Sequence, residues 1–253
     1  MTILIILILI LILILILFLC KYLHNIFLKE KFSQKEKLDV AVIVEPREHK
    51  YLIPVVLNFI ENLPKETPIQ IFHGTKNISF IKKGLNEYIE SDKIIMTNLG
   101  KENLSIKDYN NLLTSKNFWN KIKGENILIF QTDTCLCSKN KHKIYEILKY
   151  DYVGAPWKSK RLSWMTGGNG GLSFRKKSKM LQVCDKYRGG NEDGFYSSRD
   201  FFYPNKKISQ NIFVETIFSD NPLGVHKAWN YIKGNDFNVL KQNCPEINRI
   251  FGK

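Results

Sequence analysis

A single carboxylate ends the apolar run in "ILIFQTDT", Ile127–Thr134. Hard divalent cations bind carboxylate oxygens, and a carboxylate at a strand end is held rigidly, so Asp133 is a candidate metal ligand. An ordinary turn uses Asp in the same place. Three other stretches can join it. "GGNGG", Gly167–Gly171, has four glycines flanking Asn169, with Ser173 and Arg175 following. Read as a binding loop just before a helix, Gly167, Gly168, Gly170 and Gly171 would let backbone N–H groups approach an anionic or hydroxylated ligand; a plain flexible loop is the alternative. "NEDGF" sets Glu192 and Asp193 ahead of Phe195. Asp193, or else Glu192, can deprotonate a hydroxyl, because partial burial lifts a carboxylate pKa toward useful values; a helix cap or solvated turn is the alternative. "GVHKAW" offers His226 as a metal ligand, Lys227 for a phosphate, and Trp229 to stack or pack.

The elements that must position these residues alternate. "DVAVIVEP" from Asp39 reads as a buried strand, and Val56, Phe59, Ile60 and Leu63 mark a helix stopped at Pro64. "IQIFHG" is a second strand, followed by a helix with Ile78, Ile81, Leu85, Tyr88 and Ile89 on one face. "KIIMTNLG" is a third strand. Residues 105–122 read as helix with a break near Ser115, and "NILIFQTDT" as a fourth strand. Strands alternating with helices predict an α/β domain with a mainly parallel sheet, in which ligands gather beyond the C-terminal strand ends. Glu45 and Arg47 follow the first strand, where they can touch a nucleotide base or ribose or pair with each other. The second half is dense in Gly, Trp and polar residues, with one clear helix from about Lys176 carrying Met180, Leu181, Cys184 and Tyr187 inward. Trp157 can face a sugar ring or pack.

The net charge is +14, from 38 Lys+Arg against 24 Asp+Glu. That balance suits anionic partners, or reflects a lysine-rich composition without functional meaning. The lysines form no stripe with interleaved aromatics, so no nucleic acid is expected as a partner. Five cysteines match no disulfide framework or zinc spacing, and Cys135 and Cys137 are expected as buried thiols. Ile3–Leu19 is an unbroken apolar run of 17 residues. As a helix it would span ~26 Å, enough for a bilayer core. It lacks a basic start and a small-residue cleavage site, which predicts a retained signal-anchor over residues 1–20. A charged stem over 21–38 and one catalytic domain over 39–253 follow. The localisation is thus a membrane, through a single-pass N-terminal helix. The side is open: Lys21, Lys29, Lys31, Lys35 and Lys37 favour a cytosolic domain, whereas the sequons Asn77-Ile-Ser and Asn103-Leu-Ser suit a lumenal one.

Taken in order, "ILIFQTDT…YVGAPW…GGNGGLS.R…NED…ET.F…PLG.HK.W" resembles glycosyltransferases of the A-type (GT-A, Rossmann-like) fold, and most closely domain-of-unknown-function family 5672, over residues 39 to 230. "QTDT" looks like the acidic D-x-D motif of that class, with Gln131 in the first acidic position. "GVHKAW" is similar to the His-containing C-terminal motif of glycogenin-like members. The Gly-rich segment and later acidic pair resemble inverting galactosyltransferase-type members. The resemblance implies a metal-assisted, inverting glycosyltransferase, hexosyltransferase-like. Gln131, Thr132, Asp133 and Lys227 would bind the donor phosphates, and Asp133 and His226 would hold Mn²⁺ or Mg²⁺. The Gly167–Gly171 segment, Trp157 and Trp229 would face sugar or acceptor. The implied donor is a nucleoside-diphosphate sugar, UDP-sugar first, and the acceptor a hydroxyl of a glycan or protein. The departure at Gln131 leaves a second reading, a non-catalytic glycan-binding module, and the charge a third, a membrane-tethered nucleic-acid binder.

Overall fold

The computed structural model describes Leu19, Lys21 and residues 36–159 and 166–253. The chain divides into two units, Met1–Glu36 and Lys37–Lys253, and the second carries the elements below. Apart from Leu19, the anchor predicted over residues 1–20 lies outside the described residues, as does most of the stem. Among the described residues no helix is long and apolar enough to cross a membrane.

The first half follows the predicted alternation: β1 (Val40–Val44), α1 (Leu52–Asn62), β2 (Ile69–His73), α2 (Ile78–Glu90), β3 (Ile94–Asn98), α3 (Ile106–Leu113), α4 (Lys116–Asn120) and β4 (Asn126–Phe130). The break at Ser115 is a cap. Its side chain accepts from Phe118 N–H to start α4, while Ser105 and Asp108 close a capping box on α3. β1, β2 and β4 are mainly apolar and buried on both faces, as strands of a covered parallel sheet must be.

The second half completes that sheet. It supplies β5 (Thr134–Leu136), β6 (Tyr152–Ala155), β7 (Asn169–Lys176), α5 (Lys177–Val183), α6 (Glu192–Ser197), α7 (Lys206–Ile212), β8 (Phe213–Val214), β9 (Gly224–His226), α8 (Gly234–Asn243) and α9 (Glu246–Phe251). The main sheet runs β3-β2-β1-β4-β7-β6, and a small second sheet runs β5-β9-β8. β1 to β4 pair in parallel, whereas β7 is antiparallel to both β4 and β6. The period-2 alternation of β1 divides the core. Ala41 and Ile43 face a layer in which Phe59 stacks on Phe130, with ring centroids 3.8 Å apart. Val40, Val42 and Val44 face a layer holding Trp119, Tyr152 and Tyr196.

Two expectations need correction. "GGNGG" is not a loop ahead of a helix: only Gly167 and Gly168 precede β7, and Asn169–Gly171 are strand. The glycines there serve close strand passage. A Cβ on Gly154 would meet Gly167 O at 3.0 Å, and one on Gly168 would meet Gly154 O at 2.7 Å. Cys137 is not a free thiol but is bonded to Cys244, 107 residues away, with the Cα atoms 4.7 Å apart. The spacing of "CLC" could not show this, because the partner arrives from the connection between α8 and α9. Cys135 remains a buried thiol.

Replacing Cys137 and Cys244 together by Ser should lower unfolding stability by about 2–4 kcal/mol under non-reducing conditions. Urea denaturation checks this, and a midpoint equal to that of the parent chain would show that the link contributes nothing.

Candidate active site

Phe130 ends β4, and Gln131–Asp133 form a tight turn into β5. Thr134 N–H and Thr134 Oγ–H both donate to Gln131 O, at 3.2 and 2.7 Å. The strand-end carboxylate therefore sits in a turn, and the turn is built into the sheet. Antiparallel pairing of β5 with β9 sets Thr134 opposite His226, and Lys227 N–H donates to Asp133 O at 2.9 Å. This register brings two residues 93 positions apart in sequence together: His226 Nε2 lies 3.3 Å from Asp133 Oδ1.

His226 is buried, and its other nitrogen, Nδ1, lies 3.3 Å from Glu215 Oε1. Lys227 Nζ approaches the same Glu215 oxygen at 3.6 Å. Burial disfavours the imidazolium, but Asp133 and Glu215 outweigh it and raise the His226 pKa. Burial also pushes Asp133 upward, and the His226 contact prevails and lowers it. Neither ring nitrogen has a hydrogen-bond partner of good alignment. Lys227 adopts φ +36, a left-handed conformation uncommon outside glycine.

The acidic pair is divided. Both Glu192 oxygens accept from the buried Arg175 guanidinium, at 2.7 Å from Nη1 and 3.1 Å from Nη2. Asp193 has no such partner. Burial, and next the Glu192 charge, push its pKa up to about 6. Asn169 Nδ2 stands 3.5 Å from Asp193 Oδ2.

Two neighbouring cavities meet these groups. The larger, about 540 Å³, is lined by Glu45, Arg47, Tyr51, Asp133, Trp229 and Phe251, among others. The smaller, about 430 Å³, is lined by Asn169, Gly171, Asp193, His226 and Lys227 among others. Arg47, Tyr109 and Gln131 belong to both. Burial raises the Tyr109 pKa, so the hydroxyl beside Gln131 stays protonated. Gly171 is required at this junction: a Cβ there would lie 2.5 Å from His226 Nε2 and 2.8 Å from Gln131 Oε1.

Most of the residues singled out in the sequence thus line one connected region. Glu45 and Arg47 are there, and also pair with each other at 2.8 Å, so the salt-bridge reading and the cavity reading both hold. Trp229 lies in the larger cavity beside Phe251, with ring centroids 4.5 Å apart. Gly167, Gly168, Gly170 and Trp157 line neither cavity. Gly167 instead packs on Ser197 and Tyr203. Glu215 and Tyr109 drew no role from the sequence. "ET", Glu215–Thr216, stands in the ordered motif string, but nothing local ties it to His226.

The family model described as a protein of unknown function, DUF5672, matches residues 93–226, which is more than half of the chain. The chain belongs to this family. No curated protein matches it in sequence. Among solved structures, residues 1–349 of TarS from S. aureus match at 13% identity over 84% of this chain and 66% of that one, with a TM-score of 0.50. The chain thus spans just under two thirds of that structure. The galactosyltransferase LgtC, in complex with donor and acceptor sugar analogues, matches at 9% identity over 84% of this chain and 96% of that one, with a TM-score of 0.51. At these identities the likeness is one of fold: mixed α/β with a parallel-rich central sheet, as in GT-A-type glycosyltransferases.

Gly171→Ala should force His226 and Gln131 apart and cost roughly 1–3 kcal/mol, the usual penalty of overpacking. Thermal unfolding checks this; an unchanged Tm would mean that the two side chains yield freely.

Proposed function

We propose that this protein transfers a sugar from a nucleoside-diphosphate sugar, a UDP-sugar first among them, to a hydroxyl of a glycan or protein acceptor. One observation carries the reading: Asp133 and His226 meet at 3.3 Å beside Lys227, in a region that also exposes Asp193, whose pKa is raised to about 6.

Lys227 and Arg47 bring positive charge to the donor side, where a leaving diphosphate gains negative charge. Lys227 would set its ammonium there, 3.6 Å from Glu215 Oε1. Arg47 and Tyr51 are available to the base and ribose in the larger cavity. Asp133 Oδ1 and His226 Nε2 suit Mn²⁺ or Mg²⁺: a carboxylate and an imidazole nitrogen left without a hydrogen bond face each other. Among the described residues no cluster of three or more His, Cys, Asp or Glu groups could hold a metal. A pair of protein donors is what a cation completed by substrate phosphates requires. When bound, such a cation neutralises the leaving diphosphate as a Lewis acid. Glu215 would hold His226 at Nδ1 and so fix the ring.

On the acceptor side Asp193 is the base. A pKa near 6 leaves it ionised at pH 7 yet still basic enough to take a hydroxyl proton. Asn169, within reach of Asp193, would orient the acceptor or the donor sugar. A base on the acceptor side favours a single displacement with inversion at the anomeric carbon.

The compartment is the second part of the proposal: residues 1–20 tether the domain on the oxidising side of a membrane. The Cys137–Cys244 bond supports this against the lysines after the span. Of the two sequons, Asn103 is exposed, whereas Asn77 is buried and donates to Glu45 O and Arg47 O.

Nucleoside diphosphate with Mn²⁺ should raise the Tm of the parent chain and of Asp193→Asn alike, while Asp193→Asn lowers turnover by roughly 10²–10⁴-fold. Loss of nucleotide binding together with activity would contradict the role of Asp193, and no nucleotide response in the parent chain would end the donor assignment. As the base must be ionised, kcat/KM should rise with pH through about 6. Because the folded pKa lies above the ordinary carboxylate value, folding takes up a proton between the two values, and ionised Asp193 opposes folding above about 6. Asp193→Asn should therefore be more stable than the parent at pH 8, with the gain gone at pH 4. Made in a eukaryotic secretory host, the full chain should carry one glycosidase-sensitive glycan that Asn103→Gln removes; an unglycosylated chain with Cys137 reduced would place the domain in the cytosol.

A further inference from the structure

Arg175 is fully buried on β7 and spends its guanidinium on four acceptors. Two are the Glu192 oxygens; the others are Ser173 Oγ, 2.9 Å from Nε, and Gly170 O, 3.2 Å from Nη2. Three rings enclose it: Tyr152, Tyr196 and Trp119 stand 5.0, 5.4 and 5.9 Å from its central carbon. A methyl on Gly170 would lie 2.7 Å from Nη2 and 3.0 Å from Asp193 Cβ, so strand and helix meet here without a spare side chain.

A buried ion pair is a poor device for stability, since well-packed apolar residues of similar volume replace such pairs at no loss and often with a gain. What this pair does is local. Gly170 lies between Asn169 and Gly171, both of which line the smaller cavity, and Glu192 precedes Asp193. The guanidinium bonds the first element through Gly170 O and the second through Glu192. Glu192 N–H is fixed in turn by Asn110 Oδ1 at 2.9 Å. Only a rigid planar fork meets acceptors on three sides at once; a lysine ammonium has no such geometry.

We propose that Arg175 is a positioning residue that, through Glu192 and Gly170, fixes Asp193 and Asn169 relative to each other for the proton transfer. This rests on the proposed role of Asp193 as base. It assigns the acidic pair as one clamped member and one working member.

The test uses the full chain with Arg175→Met and Glu192→Met combined, and Arg175→Lys alone. The double change removes both charges and keeps the volume. Its Tm should equal or exceed that of the parent, while kcat falls by about 10²-fold, the cost of a misplaced catalytic group, with KM for the donor unchanged. Hydrogen exchange should quicken in residues 168–171 and 191–195 and not in β1 or β2. Arg175→Lys, which keeps the charge without the fork, should show the same loss of kcat. Parent-like kcat and parent-like exchange in the double variant would overturn the proposal, as would full activity in Arg175→Lys. A collapse of Tm in both variants would make the pair a stability element and equally overturn it. Should the parent chain turn over no sugar nucleotide, the proposed function falls on its own, and the exchange data still decide whether Arg175 orders the two segments.

Discussion

The candidate site depends on three cross-strand pairs. Thr134, Cys135 and Leu136 of β5 lie opposite His226, Val225 and Gly224 of β9. Because side chains alternate along a strand, a slip of one residue would turn His226 to the opposite face and leave Asp133 alone in its turn. Several features hold the register. Lys227 N–H donates to Asp133 O at one end, and Cys137 N–H donates to Leu223 O at the other, both at 2.9 Å. Gly224 lets the strands close, since a Cβ there would lie 3.0 Å from Cys135 O. A short strand pair therefore does what a long sheet does elsewhere, joining the β4 end to a segment some ninety residues later.

Around that pairing, like groups are given unlike surroundings. Glu192 and Asp193 are adjacent and both carboxylates, yet one is saturated by a guanidinium, while at the other burial and a neighbouring negative charge outweigh the bonds from Gly194 N–H and Asn169 Nδ2. Divergent environments for paired titratable groups are the general way that one site separates a structural acid from a reactive one. Asp133 and Glu215 form a similar division about His226, the first half-exposed at a cavity wall and the second buried behind the ring.

The sequence made the first half of the fold legible because β1, β2 and β4 are mainly apolar and the helices between them carry a 3.6-residue stripe. Apart from the helix that begins at Lys177, the second half was opaque for physical reasons. β7 opens on glycines, which carry no periodicity, and β5, β8 and β9 are two or three residues long. Asp133, His226 and Asp193 were readable as types of residue, but their meeting was not, since it is set by pairing at long range. Glu215 and Arg175 lie beneath the surface. Their roles come from what they touch, which no local spacing records. The Cys137–Cys244 bond was hidden for the same reason.

That bond has a consequence for the far wall of the larger cavity. Phe251 and Lys253 help to form this wall, and α9 reaches it only a few residues after Cys244. With Cys244 tied to the residue after β5, unfolding of α9 cannot spread past Cys244 into α8 without straining that link. The cavity wall is thereby kept a short stretch of chain away from the β5–β9 pairing on which the meeting of Asp133 and His226 depends.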